Sequence, residues 1–361
     1  MIPPPPQNDG GLIPANKNMA ETILARYDLE DANLHLVKRQ RSVQLFRVES
    51  PSAGRFALRL YRTPRATEVA AQPDDPRSKV RRRSPVALHA QLTWLLALRR
   101  ETGLLVPEPL PMSDGSLVGR VSIEGAPKPR HFTLVSWVPG QHKLEDLSPT
   151  DLSLAGSFAA RLHKHAERYA VPDPSALPRR DYWDWSLGKS IALWSKGEEF
   201  YSASEMEVFR VAARRIQEDV QALGEGRDVF GLIHRDFHLN NLVFDGSTVG
   251  AIDFDNCCFG HYLLDLSTMV MVLANRYGDH STPMIAAFLE SYLNERSLPD
   301  GYQGYLDTFV AIRVLSLVNR ELQLRISDPQ YQWRDPHFLS RAVKKLRSIL
   351  EPGEVSVVKL L

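Results

Sequence analysis

Cysteine is nearly missing from this chain: among 361 residues only Cys257 and Cys258 occur, and they are neighbours. Adjacent cysteines are poorly placed for a stabilising bridge or a metal cage, so they read as buried thiols and exclude a disulfide-stapled fold. No apolar run approaches the ~18 residues a membrane-spanning helix needs. The opening MIPPPPQNDGG lacks the charged-then-apolar order of a secretory signal. The formal net charge is only +1, which offers no overall attraction for nucleic acid or an anionic membrane. The expectation is a cytoplasmic protein with neither as a partner. Also missing are an internal repeat and a G-x-G-x-x-G loop.

What is present is ordinary globular material, 43% hydrophobic and 24% charged, long enough for two lobes. Residues 1–18 are Pro-rich and read as a disordered tail. A short helical piece follows around Met19 to Tyr27. SVQLFRVE and RFALRLYR then alternate apolar and polar residues on either side of SPSAG, the pattern of a β-hairpin. Residues 63–86 are charged, contain proline and show no apolar period, so they read as a mobile insertion. Leu88, Leu92, Leu95, Leu96 and Leu98 give Val86 to Arg100 helical spacing, and LVGRVSIE and HFTLVSWV add strands.

At Pro139-Gly140 the character changes. Ser148-Pro149-Thr150-Asp151 carries a capping serine, a proline at the first helical position and a carboxylate two residues on, so a helix opens there. Further helices are expected at 204–223, 263–277, 284–293, 305–325 and 336–350. The spacing predicts an α+β fold: a small β-rich N-lobe over 19–138, a larger mainly helical C-lobe over 139–350, and a tail over 351–361.

The chemistry concentrates in GLIHRDFHLNNLVFDGSTVGAIDFDNCC. Leu242 to Phe244 and Val249 to Phe254 read as strands joined at the Asp245-Gly246 turn, which sets Asn241 opposite Asp253 to within a residue. Cross-strand neighbours sit ~5 Å apart, so an amide oxygen and a carboxylate could share a hard cation such as Mg²⁺. His234-Arg235-Asp236 through Asn241 matches the H-R-D-x-x-x-x-N loop of phosphoryl-transfer catalysts position for position. A carboxylate at Asp236 can orient a hydroxyl nucleophile and accept its proton.

Continued through FGHYLLDLS, this stretch resembles the superfamily of aminoglycoside phosphotransferases, homoserine kinases and choline kinases, which also holds a bacterial stress-response protein kinase branch. The resemblance spans about Met19 to Leu350 and implies a protein-kinase-like bilobal fold using ATP and Mg²⁺. It implies Asp236 as catalytic base, Asn241 and Asp253 as metal ligands, and Asp255 as a helper at the metal. Asp265 would brace the catalytic loop through backbone N–H groups, with His234 and His238 structural. Arg59 falls where the family places a cation on the nucleotide phosphates, and LVSWVPG resembles the hinge, implying adenine bonds to the backbone of Ser136 and Val138. The chain departs from the family at Arg235 and Asn240, where glycine is usual, and at Gln91, where a glutamate normally pairs with the phosphate-binding cation.

Three readings of the partner stay open: a small-molecule hydroxyl of amino alcohol or aminoglycoside type, a protein Ser or Thr, or nucleotide binding with little turnover. An aminoglycoside pocket would want carboxylates such as Asp279, Glu290 and Glu295. Gly188-Lys189-Ser190 and Ser186-x-x-Lys189 mimic other phosphate and acyl-transfer motifs without their remaining parts. His163 and His165 lack a third zinc-type ligand and read as core or loop-bracing residues. Tyr182, Trp183, Trp185, Trp194 and Tyr201 read either as core or as a cation–π pocket for an amine.

Overall fold

The computed structural model describes residues 17–39, 43–61, 84–122, 129–179, 189–327 and 337–350. The Pro-rich tail through residue 16, nearly all of the 63–86 insertion, Tyr182, Trp183, Trp185, Ser186, Gly188 and the tail 351–361 lie outside the described residues. Two units result, one of Met1–Pro139 with Val171–Pro178, the other of Gly140–Ala170 with Arg179–Leu361.

Period-two patterning builds the first unit. Its elements are α1 (Lys17–Leu24), β1 (Asn33–Arg39), β2 (Val43–Ser50), β3 (Gly54–Tyr61), α2 (Pro85–Thr102), β4 (Gly119–Val121) and β5 (Arg130–Ser136). The strands form one antiparallel sheet in the order β1-β2-β3-β5-β4. Phe46, Val48, Phe56, Leu58 and Leu60 point to one face and pack with Ile23 and Leu24 of α1 and with Phe132 and Leu134 of β5. Burying side chains of this size stabilises by about 1.5–3 kcal/mol each. On α2, Ser84 caps by accepting the Ala87 N–H at 3.2 Å, Pro85 occupies the first turn, and Gly103 ends the helix at φ 67°. Leu88 of this helix joins Val43 and Tyr61 in a smaller cluster. The β1 strand was not anticipated, because NLHLVKR carries too few apolar residues to announce it.

The second unit holds α3 (Pro149–Arg168), α4 (Lys189–Lys196), α5 (Ala203–Leu223), β6 (Phe230–Ile233), β7 (Leu242–Asp245), β8 (Thr248–Ala251), β9 (Cys258–His261), α6 (Leu263–Tyr277), α7 (Thr282–Glu295), α8 (Tyr302–Ser327) and α9 (Phe338–Leu350). The Ser148/Asp151 capping box that opens α3 is complete in both directions. Gly156 lets α3 and α7 approach closely, since a Cβ there would meet the Phe288 carbonyl oxygen. One unit built on an antiparallel sheet and a second that is mainly helical meet the α+β, protein-kinase-like expectation.

The hairpin differs in one respect from the expectation. Its second strand stops at Ala251, and Phe254 lies in a tight 3₁₀ turn, Phe254–Asn256, because Asp253 adopts the left-handed conformation at φ 65°, ψ 54°. The partner strand of β6 is β9, with Ile233 facing Cys258. That four-residue strand and α4 were also not anticipated, being too short for either periodicity to register.

Candidate active site

In the second unit, the loop from His234 to Asn241 hangs from Asp265, which is wholly buried near the start of α6. Asp265 Oδ2 accepts the His234 N–H at 2.8 Å and Oδ1 accepts the Arg235 N–H at 2.6 Å. Oδ2 also lies 3.3 Å from His163 Nε2 on α3. His163 Nδ1 in turn lies 3.0 Å from the Tyr292 hydroxyl on α7, and Tyr292 accepts from Arg296 Nη1 at 3.3 Å. Burial pushes the His163 pKa down, against the pull of Asp265. A neutral imidazole can donate from Nε2 to Asp265 and accept at Nδ1 from Tyr292.

Arg235 sits at φ 68°, which costs a side-chain-bearing residue energy that glycine avoids. The two short bonds at Asp265 hold this turn. His234 is fully buried; its Nε2 donates to the Ile252 carbonyl at 2.9 Å while Nδ1 accepts the Asp236 N–H at 3.3 Å.

Ile252 links the loop to the hairpin, since its N–H donates to the Asn241 carbonyl at 2.9 Å. The register Leu242↔Ala251 therefore continues to Asn241 opposite Ile252, one residue short of Asp253. Asn241 is buried, and its Nδ2 donates to the Asp236 carbonyl at 2.9 Å. That bond fixes the amide flip and turns Oδ1 into an acceptor with no hydrogen bond from any described residue. Asp253 and Asp255 follow in the turn after β8, both half-buried.

Asp236 itself is met by two donors. Arg313 Nη2 of α8 lies 2.9 Å from Oδ1 and His238 Nε2 lies 3.4 Å from the same oxygen. Burial works to raise the Asp236 pKa, but the His238 bond and the Arg313 charge outweigh it and hold the carboxyl well below the usual carboxylate range. The group is an ionised acceptor at any neutral pH. Among the described residues no three His, Cys, Asp or Glu side chains form a metal cage. The donor set of Asn241 with Asp253 and Asp255 instead suits an ion that takes one or two protein carboxylates and keeps water or phosphate oxygens as its other ligands.

The nucleotide-type residues lie in the first unit. Arg59 is half-buried in mid-sheet, facing Leu45 on β2 and Thr133 on β5. Gln91 of α2 is buried, and its side chain makes no hydrogen bond among the described residues. The Trp137 N–H donates to the Arg55 carbonyl at 2.9 Å, so by ladder alternation Ser136 turns its own backbone groups away from β3. There its N–H is taken by the Glu108 carbonyl at 2.7 Å. Val138 is buried, and neither its N–H nor its C=O bonds to another described residue.

Sequence reasoning missed Arg313. It lies 77 residues from Asp236, and its one signal is a position in phase with Leu306, Phe309 and Val310 on the apolar stripe of α8. Of the carboxylates considered for a cationic substrate, Glu295 is engaged by the Ser157 hydroxyl, and Asp279 and Glu290 are exposed. Trp194 belongs to the core, donating from Nε1 to Asn319 Oδ1 at 2.7 Å. The two cysteines are buried free thiols.

Residues 34–305 match the sequence profile of the phosphotransferase enzyme family. Amicoumacin kinase of Bacillus subtilis is 22% identical over 64% of this chain and 68% of its own length. A homoserine kinase of Agrobacterium fabrum is 29% identical over 55% of this chain, a match that spans 57% of that enzyme. Among solved structures, the microcompartment-associated aminopropanol kinase is 26% identical with a TM-score of 0.66, covering 92% of this chain and 95% of its own. An amicoumacin kinase complexed with AMP-PNP, Ca²⁺ and amicoumacin reaches a TM-score of 0.71 at 18% identity, covering 93% of this chain and 95% of its own.

Proposed function

Since the chain belongs to the phosphotransferase enzyme family, we propose that it moves the γ-phosphoryl group of ATP, with Mg²⁺, to a hydroxyl of a small molecule of the amino alcohol kind. The observation that carries this reading is the ionised Asp236 carboxylate, set in a loop whose Asn241 amide is locked to the Asp236 carbonyl at 2.9 Å.

Asp236 accepts the hydrogen of the acceptor hydroxyl, aligns its oxygen for attack, and takes the proton as the new P–O bond forms. A carboxylate of such low basicity serves orientation first and proton removal late. Asn241 Oδ1 and Asp253, helped by Asp255, would hold the metal, which supplies charge neutralisation on the phosphates. Asp265 keeps the loop in its strained shape between turnovers. Arg59 would meet the nucleotide phosphates, and the Ser136 carbonyl with the Val138 N–H would read the adenine edge. The Ser136 N–H, already bonded to Glu108, is spent.

The names of the relatives, kinases of amicoumacin, homoserine and aminopropanol, support the acceptor class. A second reading, nucleotide binding with little turnover, is favoured by Gln91, an uncharged residue where the family pattern carries a glutamate. The deciding experiment is a screen of hydroxyl compounds for ATP consumption with Asp236→Ala as control. The kinase reading expects consumption that the substitution abolishes while ATP with Mg²⁺ still raises the melting temperature of both proteins by mass action. Undiminished transfer by Asp236→Ala would reject Asp236 as the base.

A further inference from the structure

The loop from His234 to Asn241 carries side chains at two positions where the family pattern has glycine, and the structure separates them. Arg235 occupies the left-handed region, so glycine has a backbone reason to stand there. Asn240 does not: it lies in the 3₁₀ turn Leu239–Asn241 and its φ is not positive. What its side chain meets is therefore the physical criterion at this position. The Asn240 amide is exposed and bonds to no described residue. It lines a cavity of about 270 Å³ within the second unit, together with Leu144, Leu239, Val272, Asn275 and Arg276.

The walls of this cavity are fixed in advance. The Leu144 carbonyl accepts from Arg276 Nε at 3.0 Å and from the Tyr277 hydroxyl at 3.1 Å. Two residues earlier, His142 Nδ1 lies 2.8 Å from the Leu242 carbonyl oxygen on β7. Leu239 is buried, and the Asn241 N–H closes its turn by donating to the His238 carbonyl at 2.8 Å. Since Asn241 Nδ2 is tied to the Asp236 carbonyl at 2.9 Å, one braced loop carries both the carboxylate and the cavity wall.

The lining decides what fits. Leu144, Leu239 and Val272 take a short carbon chain. Arg276 has spent its Nε on Leu144 and keeps its Nη groups as donors. Asn240 and Asn275 each offer an amide oxygen and an NH₂, and neither side chain bonds to a described residue. No carboxylate lines the cavity, so an ammonium group finds no counter-charge there. A carboxamide is the complement: its oxygen accepts from these donors, its N–H donates to an asparagine oxygen, and a neutral group costs less to desolvate than an ion.

We propose that Asn240 and Asn275 are the specificity-determining pair of this enzyme, reading a carboxamide arm of the acceptor in this cavity. This rests on the phosphotransfer reading, in which the acceptor hydroxyl meets Asp236. The pair sets which acceptor is held and takes no part in the transfer itself.

The test uses the full chain with ATP and Mg²⁺. The acceptors are isopropanolamine and amino alcohols bearing a carboxamide at increasing distances from the hydroxyl, each with its carboxylate and its ammonium counterpart. Phosphate transfer is measured, and melting temperature is recorded with a non-hydrolysable ATP analogue. One carboxamide is expected to exceed isopropanolamine and both of its charged counterparts by about tenfold in kcat/KM, the gain of two modest hydrogen bonds, and to give the largest thermal shift. Asn240→Gly, which restores the family residue, and Asn275→Ala should each raise the KM for that acceptor about fivefold, leaving the KM for ATP and the kcat/KM for isopropanolamine within about twofold. A merely structural role in the loop would instead lower kcat on every acceptor alike, and that result overturns the proposal. So does a preference for isopropanolamine or for a charged counterpart over every carboxamide, or a panel in which no carboxamide shifts the melting temperature more than isopropanolamine does. Absence of any stabilisation by ATP with Mg²⁺ alone would sink the kinase reading itself, a result read before any acceptor is added.

Discussion

Arg313 Nη2 lies 2.9 Å from Asp236 Oδ1, joining the middle of α8 to a loop 77 residues earlier in the chain. Together with the His238 bond, the contact holds the carboxyl proposed as base in its ionised form. Because the folded-state pKa of Asp236 is depressed, its ionised form is favoured by the fold. The stability it contributes is present above the ordinary carboxylate range and is lost as pH falls through the depressed value.

The first prediction concerns the acid side of the activity profile. With Asp236 held ionised, kcat/KM should show no fall near pH 4 attributable to this residue. In Arg313→Gln an acid limb should emerge at higher pH than in the parent, because a lowering charge is gone and burial remains. The measurement is a pH–rate profile of both proteins with one acceptor.

Removing the base should be far more severe than removing its neighbour. Asp236→Asn keeps the shape and deletes the negative acceptor, so kcat should fall by about 10²–10⁴, the usual contribution of a positioned acid or base. The KM for ATP should change little, which steady-state kinetics would establish.

Asp265 supports the loop without touching the reactants. Asp265→Ala leaves the N–H groups of His234 and Arg235 without acceptors, at about 1–3 kcal/mol for each buried orphan. A lower urea midpoint at unchanged m-value would report it, together with a loss of kcat.

Arg235 offers a test of backbone strain. At φ 68° its Cβ is unwelcome, so Arg235→Gly should be neutral or stabilising by up to about 1 kcal/mol, whereas Arg235→Val should destabilise by about 1–3 kcal/mol. Paired urea titrations would separate the two signs.

His163 sets a pH limit on stability. Its pKa is lowered by burial from 6.5, so the unfolded chain binds the proton more readily than the folded one. Its contribution to stability is present above about pH 6.5 and declines as pH drops toward the folded value. Urea midpoints measured from pH 7.5 to 5.5 should fall more steeply for the parent than for His163→Gln.

Much of this was readable in the chain because local rules governed it. The Ser148 cap, the Asp245-Gly246 turn and the apolar stripes of α6 and α8 each follow from a few neighbouring residues. The H-R-D-x-x-x-x-N spacing likewise placed Asp236 and Asn241 in one loop, and the hairpin register fell one residue from the pairing expected. What escaped were facts set by partners distant in sequence. The Arg313 ion pair, the His163 bond to Asp265 and the pairing of β6 with β9 link segments separated by tens of residues, and no period within either segment encodes them. Asp253 escaped for another reason: its left-handed turn ends the strand early, and Asp is among the few residues able to adopt that conformation without a glycine signal.

Cys258 stands opposite Ile233 on the strand leading directly into the His234–Asn241 loop, and burial raises the pKa of the adjacent Cys257 thiol. Thiolate, the form that alkylating reagents attack, is therefore scarce at this spot while the strand pair stays closed. Nature has left a chemical clock behind the loop: the rate at which a maleimide dye attaches to this pair counts how often β6 and β9 part, and its slowing under ligand would time the site's tightening without any engineered probe.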